Sequence, residues 1–349
     1  MKINDLELYQ VGIGQADGGE TAYSLLVRVS TTAGLEGWGE SALHWRSGEL
    51  SARREALLAG LAGRNVFDIE ELHTLEALNT APLRSAVEMA LWDLIGRRLN
   101  QPMCNLWGGY FRRRVPVSVR LACRRPQQTA YVARERADQG FHTQTLTASG
   151  QPENDLAMLS AVREMVGDRV ELRFDGRSHY NLDTACDLCS SQEFEGLQFL
   201  IDPLKVHDLY RLASLGRQTS VPLAAWRPIS GPSEVMAAVR CGAAPYVVVD
   251  LDQVGGILPA RACAAVAAAG GVNAILGGRP SVGIAAAALL HLAAAGSTFS
   301  GSNEIPSQQL RDTVLSDPPE ASDGMMTVPQ GPGLGVEVDR AKVERYQIA

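Results

Sequence analysis

Asp250 ends the apolar part of the run Val247-Val248-Val249-Asp250-Leu251-Asp252-Gln253-Val254-Gly255-Gly256-Ile257. Three β-branched residues in a row leave no polar face, so this strand is covered on both sides, as in an α/β barrel. A carboxylate at the end of such a strand stands where barrel active sites are built; its other common use is to cap the next turn. Comparable apolar runs end in Thr145 and Thr147, Asp175 and Arg177, Ile201 and Asp202, Trp226 and Arg227, Gly277 and Arg279, and Asn303 and Glu304. Carboxylates from separate strands converging on one mouth suit either a divalent cation or acid–base catalysis.

The elements that must position these residues alternate from Val115 onward, short apolar strands with helices, which marks a parallel α/β sheet. The expected strands are Val115–Leu121, Thr143–Thr147, Val170–Phe174, Gly196–Ile201, Val221–Ala225, Tyr246–Asp250, Asn273–Leu276 and Thr298–Ser300. Eight strands with helices between them fit a closed barrel better than an open sheet. The preceding residues read as an α+β unit, with strand-like Tyr23–Ser30, a turn into Gly37-Trp38-Gly39-Glu40, and a helix over Leu83–Leu99 whose Val87, Leu91, Leu94 and Ile95 share one face. Gln101-Pro102 is expected to stop that helix. Two stretches, 12–20 and 41–48, lack regular pattern and read as loops, the second carrying His44, Trp45 and Arg46.

At 349 residues the chain exceeds the size at which a single core usually stops growing, so two domains are expected. The net charge of -7 offers no basic footprint for nucleic acid, and no run of lysine or arginine suggests a membrane surface. Met1 to Leu8 is polar and has no signal-peptide character, which predicts a cytoplasmic protein. The six cysteines, at 104, 123, 186, 189, 241 and 263, are scattered; Cys186 and Cys189 form a C-x-x-C without a second pair and read as part of a helix.

The sequence resembles the enolase superfamily, in the mandelate racemase and muconate lactonizing enzyme branch. The resemblance runs over essentially the whole chain and rests on the order and spacing of several motifs. They are Gly37-Trp38-Gly39-Glu40, Ala90-Leu91-Trp92-Asp93-Leu94, Asn105-Leu106-Trp107-Gly108-Gly109, Asp250 before Gly255-Gly256, His291-Leu292-Ala293-Ala294-Ala295, and Pro332-Gly333-Leu334-Gly335. It implies a modified (β/α)7β TIM-type barrel, residues 116–320, under an α+β capping domain, residues 1–115 completed by 321–349. It also implies magnesium-assisted removal of a proton next to a carboxylate, a small-carboxylate substrate and a homo-oligomer.

The catalytic positions depart from that pattern. On the second barrel strand the family's Lys-x-Lys is Thr145-Leu146-Thr147. The third-strand metal aspartate is kept as Asp175, but the fourth-strand glutamate is Ile201, with Asp202 beside it. The fifth-strand ligand falls on Trp226 or Arg227, and the seventh-strand histidine falls near Gly277. A magnesium site on Asp175 and Asp202 is therefore expected to be weak or absent.

Two readings follow. In one, the protein is an isomerase or lyase whose enolate is held by Arg177, Arg227 and Arg279, since guanidinium binds carboxylate through two parallel hydrogen bonds. Thr145, Thr147, Asn303 and Glu304 would then contact substrate, Asp250 or Asp175 would be the base, and His179 a spare acid–base group. Each arginine could equally form a salt bridge with Asp175 or Asp202. In the other reading the barrel binds a small anion, or serves as a structural or regulatory subunit, and Trp226 fills the former metal cavity.

Overall fold

The computed structural model describes residues 1–15, 21–122 and 125–348; Cys123, the residues 16–20 of the expected glycine-rich loop and the final Ala349 lie outside them.

The chain opens with an antiparallel sheet of β1 (Ile3–Gly14), β2 (Thr21–Thr31) and β3 (Glu36–Ser41). β1 runs further than expected: Gly12 and Gly14 are ladder residues opposite Tyr23 and Thr21 rather than loop. The helix Ala81–Leu99 packs on this sheet, with Val87, Leu91, Leu94 and Ile95 buried. Burying one such side chain contributes roughly 1.5–3 kcal/mol. The helix ends at Leu99 as expected, because Asn100 turns left-handed at φ 52° and closes the last turn. Gly37 and Gly39 let β3 lie directly on it; a Cβ at either would come within 2.2 or 1.8 Å of the carbonyl oxygen of Ala90 or Ala86.

Eight parallel strands follow: β4 (Arg114–Leu121), β5 (Thr143–Thr147), β6 (Glu171–Asp175), β7 (Phe199–Ile201), β8 (Leu223–Ala225), β9 (Tyr246–Val249), β10 (Asn273–Leu276) and β11 (Asn303–Glu304). The helices 126–138, 152–166, 182–189, 209–216, 232–241, 257–269 and 284–294 alternate with them, which makes a (β/α)7β barrel. Neighbouring strands pair from β4 through β10, and β11 pairs in parallel with β4. Toward β10 the ring closes through a side chain: Asn303 Oδ1 accepts the Leu276 N–H at 2.8 Å.

The eighth strand was expected at Thr298–Ser300 and forms instead at Asn303–Glu304. Phe299 is buried in the core and its carbonyl oxygen is taken by Arg112 at 2.7 Å, so pairing with β4 begins only beyond the Gly301 bend. Period-two alternation sets the two faces of each strand. Phe199, Ile201, Ala224, Val248 and Ile275 point inward as a small apolar layer, while Val247, Val249, Leu200 and Phe174 join the larger core against the helices.

The C-terminal segment first adds β12 (Ala321–Ser322) and β13 (Met325–Thr327), the latter antiparallel to β4. It then crosses to the capping sheet, where Ile348 donates to the Gln10 carbonyl at 2.9 Å. Glu40 on β3 joins the two parts: it accepts from Ser24 and Ser281 hydroxyls and from the Val282 and Ala285 N–H groups at 2.6–2.9 Å. Among the described residues no helix is long and apolar enough to cross a membrane. Cys186 and Cys189 lie in the helix Leu182–Cys189 as free thiols.

Candidate active site

A cleft of about 510 Å³ opens at the carboxyl ends of the barrel strands. Its charged lining is Arg120, Arg136, Arg177, Arg227, Arg279, Asp175 and Asp250, with Trp226, Gln253 and Thr147 among the rest.

The floor is an ion network. Arg120, pointing inward near the end of β4, forks onto Glu304 through Nε at 3.0 Å and Nη2 at 3.2 Å, and reaches Asp175 Oδ2 with Nη1 at 2.7 Å. Arg227 binds the same Asp175 through both terminal nitrogens, at 3.1 and 3.2 Å, and Asp202 through Nη1 at 3.1 Å. Asp202, left-handed at φ 36°, also accepts the backbone N–H groups of Trp226 and Arg227, and so fixes the loop after β8. Gln253 Nε2 donates to the Trp226, Arg227 and Ile229 carbonyls at 2.8–2.9 Å and holds that loop from the other side. The Trp226 ring packs beside both cations, its centroid 5.2 Å from each guanidinium carbon.

These contacts decide how the carboxylates titrate. Burial acts to raise Asp175, but Arg120 and Arg227 together hold it below the usual carboxylate range. With Arg120, Arg227 and the Arg177 N–H all donating to it, Asp175 has little lone-pair capacity left for a proton. Burial pushes Asp202 upward against the pull of the two amides and Arg227.

Asp250 is placed differently. It continues the inward series Tyr246, Val248 on β9 and caps the short helix Leu251–Val254, accepting the Asp252 N–H at 3.0 Å. Asp250 thus stands at the strand end and caps the next turn at once. Among the described residues no arginine pairs with it directly, and burial raises its carboxyl to about 6 against the Asp252 amide and the more distant charge of Arg279. Asp252 stands beneath the loop after β3 and accepts the Ala42 N–H at 2.6 Å. Burial and the neighbouring Asp250 charge push Asp252 up to about 8.

The remaining expected residues divide. Arg177 and Arg279 line the cleft, are exposed, and have no carboxylate within ion-pair distance among the described residues. Thr147 lines it too, its hydroxyl donated to the Leu121 carbonyl at 2.8 Å. Thr145 and Glu304 lie in the floor, bonded to each other at 2.6 Å, and Asn303 is committed to closing the barrel. His179 is half-buried against Gly150 outside the lining. Ile201 points into the apolar layer beside Asp175 and offers no ligand.

Arg120 is one of the site residues, with Arg136 and Gln253, that the sequence reading passed over. The signal was present: in Val115-Pro-Val-Ser-Val-Arg-Leu121 the apolar residues alternate outward, which sends Arg120 into the barrel, where a cation needs carboxylate partners. Arg173 likewise points inward, one layer lower, bonded to Ser118 Oγ at 3.2 Å with its guanidinium over Phe199.

The donor set does not fit magnesium. That ion takes oxygen ligands in near-octahedral array at about 2.0–2.1 Å, whereas the space between Asp175 and Asp202 is filled by Arg227 Nη1, 3.1 Å from each. Among the described residues no three His, Cys, Asp or Glu side chains are grouped so as to hold a metal.

Comparison with known proteins gives the family of the chain. Residues 16–108 match the mandelate racemase / muconate lactonizing enzyme N-terminal domain, and residues 128–342 match the enolase C-terminal domain-like family. The chain is 29% identical over 343 residues to an N-succinylamino acid racemase of Thermus thermophilus, covering 95% of this chain and 92% of the relative. It is 27% identical over 338 residues to muconate cycloisomerase 1 of Rhodococcus opacus, covering 92% and 90%. In structure it is similar to N-succinyl Arg/Lys racemase of Bacillus cereus, with a TM-score of 0.91 at 21% identity over 100% of this chain and 99% of the other; that likeness concerns the fold.

Proposed function

For a chain that belongs to the enolase superfamily, in its mandelate racemase and muconate lactonizing enzyme branch, we propose a metal-independent lyase or isomerase acting on a small carboxylate, with Asp250 as the base. The observation that carries this reading is the contrast between the two carboxylates of the cleft. Asp175 is saturated by arginine, whereas Asp250 has no direct ion pair among the described residues and is raised to about 6, close to the pH at which a general base works best.

The substrate carboxylate binds at the cleft arginines. Asp250 takes the proton from the adjacent carbon, and the charge that develops on the carboxylate oxygens is met by guanidinium groups already in place. Preorganised cations of this kind need no reorganisation during the reaction. Arg227 is oriented for this by Asp175, Asp202 and Gln253. The relatives include racemases and a cycloisomerase by name. Racemisation needs a proton donor on each face of the carbon, and the second barrel strand offers Thr145 and Thr147 rather than a titratable pair. A one-base course is supported instead: Asp250 removes the proton, and the electron pair either expels a leaving group from the next carbon or is reprotonated elsewhere.

The test is turnover of a panel of acid sugars and amino-acid derivatives by wild type and Asp250→Asn, with and without a chelator. Chelator-insensitive turnover that is lost in Asp250→Asn supports the reading; turnover dependent on magnesium sinks it. The self-satisfied network of Arg120, Arg227, Asp175, Asp202 and Glu304 favours a second reading, a small-anion-binding protein without turnover. Acid binding with no turnover across the panel would select it.

A further inference from the structure

We propose that Asp252 is the proton partner of Asp250: a water anchored by Ser41 in a small inner cavity links the two carboxyls, and the pair carries one proton between them at rest. This rests on Asp250 being the base, as proposed above.

Asp250 lines two spaces. One is the cleft; the other is a cavity of about 30 Å³ between β3 and the ends of β9 and β10, walled also by Glu40, Ser41, Asp252, Arg279 and Ser281. A water needs about 10–15 Å³ of such space and two to four polar partners, so there is room for one or two. A Cβ at Gly278 would stand 3.8 Å from Asp250 Oδ1, so glycine leaves that side of the carboxyl uncovered.

Most polar groups around the cavity are already committed. Glu40 accepts two hydroxyls and two backbone amides. Ser281 donates to Glu40 and accepts the Gly283 and Ala286 N–H groups at 3.1 and 3.2 Å. Asp250 uses Oδ1 for the Asp252 N–H, and Asp252 uses Oδ2 for the Ala42 N–H. Both carboxyls keep lone pairs, since a carboxylate offers about four. Ser41 is 2% exposed, and its hydroxyl has no hydrogen-bond partner among the described residues. Burying a hydroxyl without a partner is costly. A water in the cavity that Ser41 lines satisfies it and reaches both aspartates.

Electrostatics decides where the shared proton sits. Three buried carboxyls meet here, and adjacent like charges resist ionising together. Burial, then the charges of Asp250 on its own loop and of Glu40 on β3, push Asp252 up to about 8, against the Ala42 N–H and the Ser85 hydroxyl of the helix Ala81–Leu99. Burial raises Asp250 only to about 6, because the Asp252 amide and Arg279 oppose it. At neutral pH the proton is therefore on Asp252. Its O–H and that of Ser41 donate to the water, and the water donates to the Asp250 carboxylate. When the substrate C–H bond breaks, its electron pair stays on carbon and its proton bonds to Asp250, so the pair passes from one proton to two. Asp252 acts through Asp250 and is a positioning residue.

The experiment follows the two carboxyls by carbon-13 NMR in the whole protein labelled at aspartate, each signal identified by its loss in Asp250→Asn or Asp252→Asn. Two linked steps are expected, near pH 6 and pH 8, each felt at both carboxyls. Asp250→Asn should lower the Asp252 step by at least about one pH unit, a tenfold change in proton affinity. Ser41→Ala should draw the two steps together, because the singly protonated pair loses its bridge. In turnover, the wild-type kcat/KM should fall above about pH 8, where the pair carries two charges against an anionic substrate, and Asp252→Asn should lose that alkaline limb. Independent titration of the two carboxyls, steps unmoved in Ser41→Ala, or an alkaline limb kept in Asp252→Asn would overturn the proposal and leave Asp250 as a lone base. Linked titration without turnover of any acid would uphold the shared proton and sink the base.

Discussion

Arg227 grips Asp175 with both terminal nitrogens, Nη1 to Oδ1 at 3.1 Å and Nη2 to Oδ2 at 3.2 Å. A guanidinium thus occupies the ground between strand ends where a divalent cation would need oxygen ligands. The two guanidiniums of the floor are held among three carboxylates by fixed side chains, so these cations are part of the fold and cannot be removed by chelation.

Magnesium and chelators are accordingly expected to leave both the thermal midpoint and any turnover unchanged, as read by scanning calorimetry and a rate assay. Arg227→Ala should destabilise by roughly 2–3 kcal/mol, below the full cost of orphaning a buried ion pair because the Arg227 side chain keeps 25% exposure. Urea unfolding measures this. A neutral effect would mean that Asp175 and Asp202 find other partners.

Asp250→Asn should lower kcat by about a hundred- to ten-thousand-fold with little change in stability, because asparagine caps a helix as well as aspartate does. In the wild type, kcat/KM should fall as pH drops through about 6, since the base must be deprotonated and burial raises its carboxyl to that value. The pH–rate profile of the wild type supplies the test.

Asp252 governs a stability effect of known sign. Its carboxyl is raised from 3.8 to about 8 in the folded chain, so the folded state binds more protons than the unfolded state. That contribution is fully present below about pH 4 and is lost as pH rises toward 8. Asp252→Asn can still accept the Ala42 N–H, and should make the protein more stable than wild type at pH 8 and flatten the pH dependence. Denaturant midpoints across that range decide the matter.

Glu40 is predicted to be a joint between the capping sheet and the barrel. Glu40→Ala removes the acceptor for Ser24, Ser281, Val282 and Ala285 at once, leaving buried donors unpaired, and should cost roughly 3 kcal/mol or more. Hydrogen exchange should show the loss first at the Val282 and Ala285 amides.

Much of this protein was legible in its sequence. Alternation along Val115–Leu121 and Tyr246–Asp250 determines which side chains face into the barrel, because successive residues of a strand must point to opposite sides. The motifs that carry the family resemblance prove to be seams. Gly37 and Gly39 admit the helix backbone, Asp93 accepts the Leu334 and Trp38 N–H groups, and Gly256 makes room for Glu88. Their spacing reports packing between distant segments, which explains why the fold could be read while the chemistry could not. The sequence could not decide which arginine is bound and which is free. Arg120 reaches Glu304 across 184 residues and Arg227 reaches Asp175 across 52, whereas Arg177, two residues from Asp175, bonds it through the backbone alone. Only closure of the ring, with β11 laid against β4, brings those charges within reach of one another. Pairing between ions depends on distance in space, and the linear order of residues does not contain it.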